Sequence, residues 1–66
     1  MARHLLLTTE ASELLRMPEA TLRYWRHMGE GPPSFKIGRR VVYDADELQA
    51  WVEAQRQVEA DRHGAA

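Results

Sequence analysis

A proline set between two short helical patterns decides how the first half of this chain can fold. Leu7, Ala11, Leu14 and Leu15 recur at helical spacing, Thr8 or Thr9 can cap the start, and Glu10 favours the first turn, so a first helix is expected near residues 9–16. Met17-Pro18 interrupts it, because proline disfavours helical backbone in the residue before it and is at home in the first turn of a new helix. A second helix is expected from about Pro18 to Met28, with Leu22, Trp25 and Met28 turned inward, ended by Gly29-Glu30-Gly31-Pro32-Pro33. Two short helices joined by a tight turn follow.

Beyond the prolines the pattern changes. Phe35-Lys36-Ile37 and Val41-Val42-Tyr43 are β-prone runs separated by Gly38-Arg39-Arg40, which reads as a hairpin with a charged tip. Asp44-Ala45-Asp46-Glu47 then offers an acidic N-cap with Glu three positions later. A third helix is expected from near Ala45, carrying Leu48, Trp51 and Val52 and fading after Gln55, where the apolar stripe gives out. Residues 5–55 thus form one α+β domain, three helices with a two-stranded β-hairpin, and residues 56–66 are expected to be the helix end and a flexible C-terminal tail.

Size and composition narrow the chemistry. A chain of 66 residues buries only about 60% of the surface its unfolded form exposes, so a large catalytic cleft is not expected. With no cysteine, neither a disulfide framework nor a thiolate zinc site can hold the fold, and a cytoplasmic compartment is the simplest expectation. No apolar run approaches the roughly 20 residues of a membrane span, and Leu5-Leu6-Leu7 is too short for a signal peptide's apolar region. His4, His27 and His63 lie far apart with no HExxH pattern, and neither a Ser-His-Asp arrangement nor a phosphate-cradling glycine loop appears. No metal, cofactor, small-molecule ligand or reaction is expected.

Charge is divided unevenly along the chain. The formal net charge is −1, yet residues 16–40 carry Arg16, Arg23, Arg26, Lys36, Arg39 and Arg40 against Glu19 and Glu30 alone. Residues 41–66 reverse the balance, with Asp44, Asp46, Glu47, Glu53, Glu59 and Asp61 against Arg56 and Arg62. A basic working surface backed by an acidic helix is implied.

Helix, tight turn and helix is also the arrangement that lets a second helix enter the DNA major groove while the first crosses the backbone. With Leu22 and Trp25 inward, helical spacing sends Glu19, Ala20, Arg23, Arg26 and His27 to other faces and leaves Tyr24 near a boundary. Glu19 can accept from a cytosine amino group or serve only as a first-turn acid. Ala20 can touch a thymine methyl, and Arg23 can grip guanine or a phosphate. Arg26 adds a second cation near Arg23, Tyr24 can reach a phosphate or pack at the core edge, and His27 can donate to a phosphate or meet the helix dipole. Lys36, Arg39 and Arg40 put three cations in a hairpin, where they reach phosphates or a minor groove, or else protect a sheet edge. Trp25 and Trp51 fall at buried helical positions, which favours core packing over stacking on bases.

Leu7-Thr8-Thr9-Glu10, Glu13-Leu14-Leu15, Thr21-Leu22-Arg23-Tyr24-Trp25-Arg26, Gly31-Pro32-Pro33, Lys36-Ile37-Gly38-Arg39-Arg40-Val41-Val42-Tyr43 and Leu48-Gln49-Ala50-Trp51-Val52 together resemble the small helix-turn-helix proteins of the excisionase and AlpA type. The Thr21-Leu22-Arg23-Tyr24 segment is also similar to the reading helix of the MerR family, although Pro18 stands where many relatives have a small hydroxyl N-cap. The resemblance implies a small winged helix-turn-helix that binds double-stranded DNA through its second helix, with Arg23 and Tyr24 in contact, and through the basic hairpin as its wing. It further implies a bacterial, phage or integrative-element protein. The leading expectation is a recombination directionality factor that bends DNA beside a phage-type integrase and assembles with itself on tandem sites. The alternatives are a small transcriptional regulator of a mobile element and, in a different class, a protein-interaction module.

Overall fold

A computed structural model describes residues 3–63. Strand β1 (Leu5–Leu7) leads directly into helix α1 (Thr8–Leu15), and after a tight turn helix α2 (Glu19–Met28) follows. Strands β2 (Phe35–Ile37) and β3 (Arg40–Asp44) form the hairpin, and helix α3 (Ala45–His63) ends the described chain. The fold is a small α+β winged helix.

The sheet has one strand more than the sequence pattern predicts. Its order is β1-β3-β2, antiparallel throughout, with Leu6 opposite Tyr43 and Lys36 opposite Val41. Leu7, expected in the stripe of the first helix, instead closes β1 in extended backbone and serves as the N-cap of α1. Neither threonine caps that helix. Glu10 reaches back and accepts the Leu7 backbone N–H at 2.8 Å, which satisfies one orphan donor of the first turn. Across the hairpin the connection shortens to Gly38-Arg39, since Arg40 already belongs to β3.

The turn between α1 and α2 is built from the residues that the sequence singles out. Arg16 adopts left-handed backbone (φ 57°) as the C-cap of α1, and the Met17 N–H donates to the Ser12 carbonyl at 3.1 Å. Pro18 is the N-cap of α2, with its carbonyl accepting from Thr21 and Leu22. Gly29 (φ 74°) ends α2, and the Glu30 N–H bonds the Trp25 carbonyl at 2.7 Å. Leu6, Ala11, Leu22, Tyr43 and Leu48 form the buried core, with Leu15, Trp25, Val41 and Ala45 packed around it. Met28 and Leu14, both assigned to inward stripes, are about half exposed. Each lies off the line that its helix buries, Leu14 beside Ala11 and Leu15, Met28 in the last turn before the chain reverses.

Asp44 joins sheet and third helix. Its Oδ1 accepts the N–H groups of Asp46 at 2.9 Å and Glu47 at 3.1 Å, and its Oδ2 pairs with Arg3 Nη1 at 2.7 Å. The Glu47 amide above all, helped by Arg3 and Asp46, holds this carboxyl below its ordinary value although burial opposes the shift. Helix α3 does not fade after Gln55 but runs to His63. Residues 53–62 are all exposed, so this stretch rests on good helix formers and on side-chain pairs such as Gln57 with Asp61 at 3.0 Å rather than on burial. Residues 64–66, the end of the tail expected within 56–66, lie outside the described residues. No helix among the described residues is long and apolar enough to cross a membrane.

Two tests follow from this packing. Gly31 has φ +78°, and a Cβ there would sit 2.8 Å from the Trp25 Cβ, whereas Gly29 has a similar φ of +74° with nothing within 4 Å. Gly29→Ala should lower the thermal midpoint by about 4–8 °C, from strained backbone alone, and Gly31→Ala by about twice as much. Equal losses would show that the loop does not press on Trp25. Because the Asp44 carboxyl is held below 3.8, its ionised form stabilises the fold above that pH and the benefit drains away as pH falls below it. Urea midpoints of wild type and Asp44→Asn should therefore differ at pH 7 and converge near the acid end; a constant difference would contradict the capping role.

Candidate nucleic-acid interface

Burial of Leu22 fixes which side of α2 remains free. Leu22 is 1% exposed and Trp25 half-buried, which leaves Ala20, Arg23, Tyr24, Arg26 and His27 exposed and Glu19 partly so. Tyr24, for which two placements were open, is 58% exposed and does not pack at the core edge. Trp25 instead stacks at a tilt against Trp51, ring centroids 5.7 Å apart, so both indoles are engaged with each other. Arg23 Nη1 lies 3.3 Å from Glu19 Oε1, one turn away on the same face. An exposed pair of this kind adds little stability, but it holds the guanidinium over the N-terminal half of the helix.

The hairpin carries the other cations. Lys36, Arg39 and Arg40 are all exposed, and Gly38 (φ 61°) makes the left-handed turn at the tip. Helix and hairpin meet through β3. Arg23, Arg26 and His27 from α2, Thr8 from α1, and Val41 and Tyr43 from β3 surround a cleft of about 390 Å³. Sequence pattern alone gives Thr8 and Tyr43 no binding role. The alternation of a strand does put Val41 and Tyr43 on one side, so their shared position is available from the pattern; that Thr8 joins them is not. Burial raises the Tyr43 phenol above its ordinary value, and the Arg26 guanidinium partly offsets the rise. Among the described residues no three His, Cys, Asp or Glu side chains gather as a metal site.

A basic, otherwise unengaged helix face beside a basic hairpin is an arrangement suited to a polyanion with two adjacent grooves. A family model for the helix-turn-helix domain matches residues 5–56. No curated protein and no solved structure matches the chain. The chain belongs to this helix-turn-helix family, that of excisionase and AlpA-like small DNA-binding proteins, and it is a DNA-binding protein.

Because the basic side chains are exposed and carry little packing, Arg23→Ala, Arg26→Ala and Arg39→Ala should each stay within about 0.5 kcal/mol of wild-type stability by urea unfolding. A loss well above that for any of them would mean that the side chain supports the fold, and its effect on DNA could not be read as a contact.

Proposed function

We propose that this helix-turn-helix protein is an excisionase: it binds repeated sites near an attachment sequence, bends the DNA and helps a phage-type integrase excise an integrated element. The observation that carries the reading is the free basic face of α2 set across one cleft from Val41 and Tyr43 of β3, the strand whose hairpin bears Lys36, Arg39 and Arg40, in a member of this family. Helix α2 enters the major groove, where Arg23 grips guanine, Glu19 accepts from a cytosine amino group and Ala20 meets a thymine methyl. Tyr24, Arg26 and His27 approach the backbone. Lys36, Arg39 and Arg40 reach phosphates or the neighbouring minor groove. Contacts in two grooves repay the elastic cost of deforming the site between them.

The protein makes and breaks no bond itself in this reading. Its small contact surface gives one copy weak hold, so copies assemble cooperatively on tandem sites in a bacterial cytoplasm, each bend bringing the integrase's sites together.

The test begins with a duplex recovered from a randomised pool and a scrambled duplex of equal length, titrated by fluorescence anisotropy over a salt series. Wild type should prefer the selected duplex, with a log-log salt slope of about −0.9 per phosphate neutralised. Arg23→Ala should cost about 1–3 kcal/mol on the selected duplex and relax the preference. In a reconstituted reaction, omission of the protein should abolish excision. Excision that proceeds equally without it, together with changed promoter output, would replace this reading with transcriptional regulation. Equal, weak binding to both duplexes would move the function to a protein partner.

A further inference from the structure

We propose that the cleft between α2 and β3 docks one phosphate of the DNA backbone, with the Tyr43 hydroxyl as a neutral donor on its floor and Arg26 as the cation at its rim. The proposal rests on the DNA-binding reading and adds to it a donor, Tyr43, that lies on neither the free helix face nor the hairpin tip.

Tyr43 is 2% exposed and lines the cleft, yet its hydroxyl makes no hydrogen bond within the described residues. No buried side-chain nitrogen or oxygen among those residues lacks a partner. Both statements hold together only if the phenolic oxygen, attached to a buried ring, reaches the surface at the cleft. A donor so placed points to a ligand, because buried tyrosines normally find a partner for the hydroxyl.

The surroundings select the ligand's chemistry. Arg23, Arg26 and His27 stand around the opening, and no carboxylate is among the lining residues. Arg23 is shared with Glu19, whereas Arg26 makes no ion pair among the described residues. Arg26 also lies near enough to Tyr43 for its charge to act on the phenol. Thr8 contributes a second hydroxyl and Val41 an apolar wall. Cations and hydroxyl donors converging without a carboxylate suit a singly charged group with several acceptor oxygens, as a phosphodiester is. Duplex geometry supplies one at this place. With α2 in a major groove and the hairpin at the adjoining minor groove, the backbone strand between those grooves must cross the gap between helix and hairpin, where the cleft lies.

Such a contact adds affinity without reading sequence. On the selected and the scrambled duplex alike, Tyr43→Phe should weaken binding by about tenfold and leave the salt slope unchanged, since the lost donor is neutral. Arg26→Gln should weaken both and reduce the slope by about 0.9. In a scan of single methylphosphonate substitutions along the selected duplex, one position should abolish the cost of Tyr43→Phe. Wild-type affinity in a folded Tyr43→Phe protein would overturn the cleft while leaving the DNA-binding reading intact; failure of wild type to bind either duplex would overturn both. Should Tyr43→Phe not fold, Arg26→Gln and the scan decide, and an unchanged slope with no sensitive phosphate would overturn the cleft.

Discussion

The buried carboxylate of Asp44 is the joint on which the rest of the structure hangs. One oxygen caps two amides of α3 while the other holds Arg3, and the residue itself lies opposite Leu5 in the sheet. The backbone bond from Ala45 N–H to the His4 carbonyl, 2.8 Å, carries the same joint one residue further. Strand β3 thus cannot shift register without uncapping a helix and exposing a charge. Tyr43, next to Asp44 and opposite Leu6, is thereby held in the core with Leu22, the residue through which α2 is anchored. Sheet register and helix position are one constraint.

From that anchor the free face of α2 follows. Pro18 starts the helix and Gly29 stops it, so its ten residues are delimited by backbone conformation at both ends. Trp25 leans on Trp51 and lies against Gly31, which ties the loop after α2 to the helix axis. With Leu22 and Trp25 committed inward, Arg23 and Arg26 have only the outside left to occupy. The hairpin is held to the same core by β3, through Val41 and Tyr43. Two basic elements joined by the loop over residues 29–34 are therefore both anchored on one core.

Much of this architecture is legible in the amino-acid sequence, for local reasons. Pro18, Gly29 and Gly38 act on their own backbone, and the Asp44 cap acts within three residues, so element order and turn positions can be read directly. What the sequence hides is non-local. Strand β1 has three leucines and no alternation, and its partner lies beyond the whole helix-turn-helix; only its pairing with Val42, Tyr43 and Asp44 makes it a strand. The far half of α3 is hidden for the opposite reason, since it has no apolar stripe and persists through intrinsic propensity and side-chain pairs. At the site, the exposed α2 residues are legible from the positions of Leu22 and Trp25. The cleft is not, because it needs Thr8, Arg26 and Tyr43 from three elements.

The central claim is that α2 and the hairpin form one DNA-facing surface while the acidic far half of α3 stays outside it. Amide chemical-shift mapping of the labelled protein, titrated with the selected duplex, tests this directly. Shifts should concentrate on Glu19–His27 and Lys36–Arg40, with residues 53–62 unchanged. Shifts confined to α3, with α2 and the hairpin silent, would contradict the account.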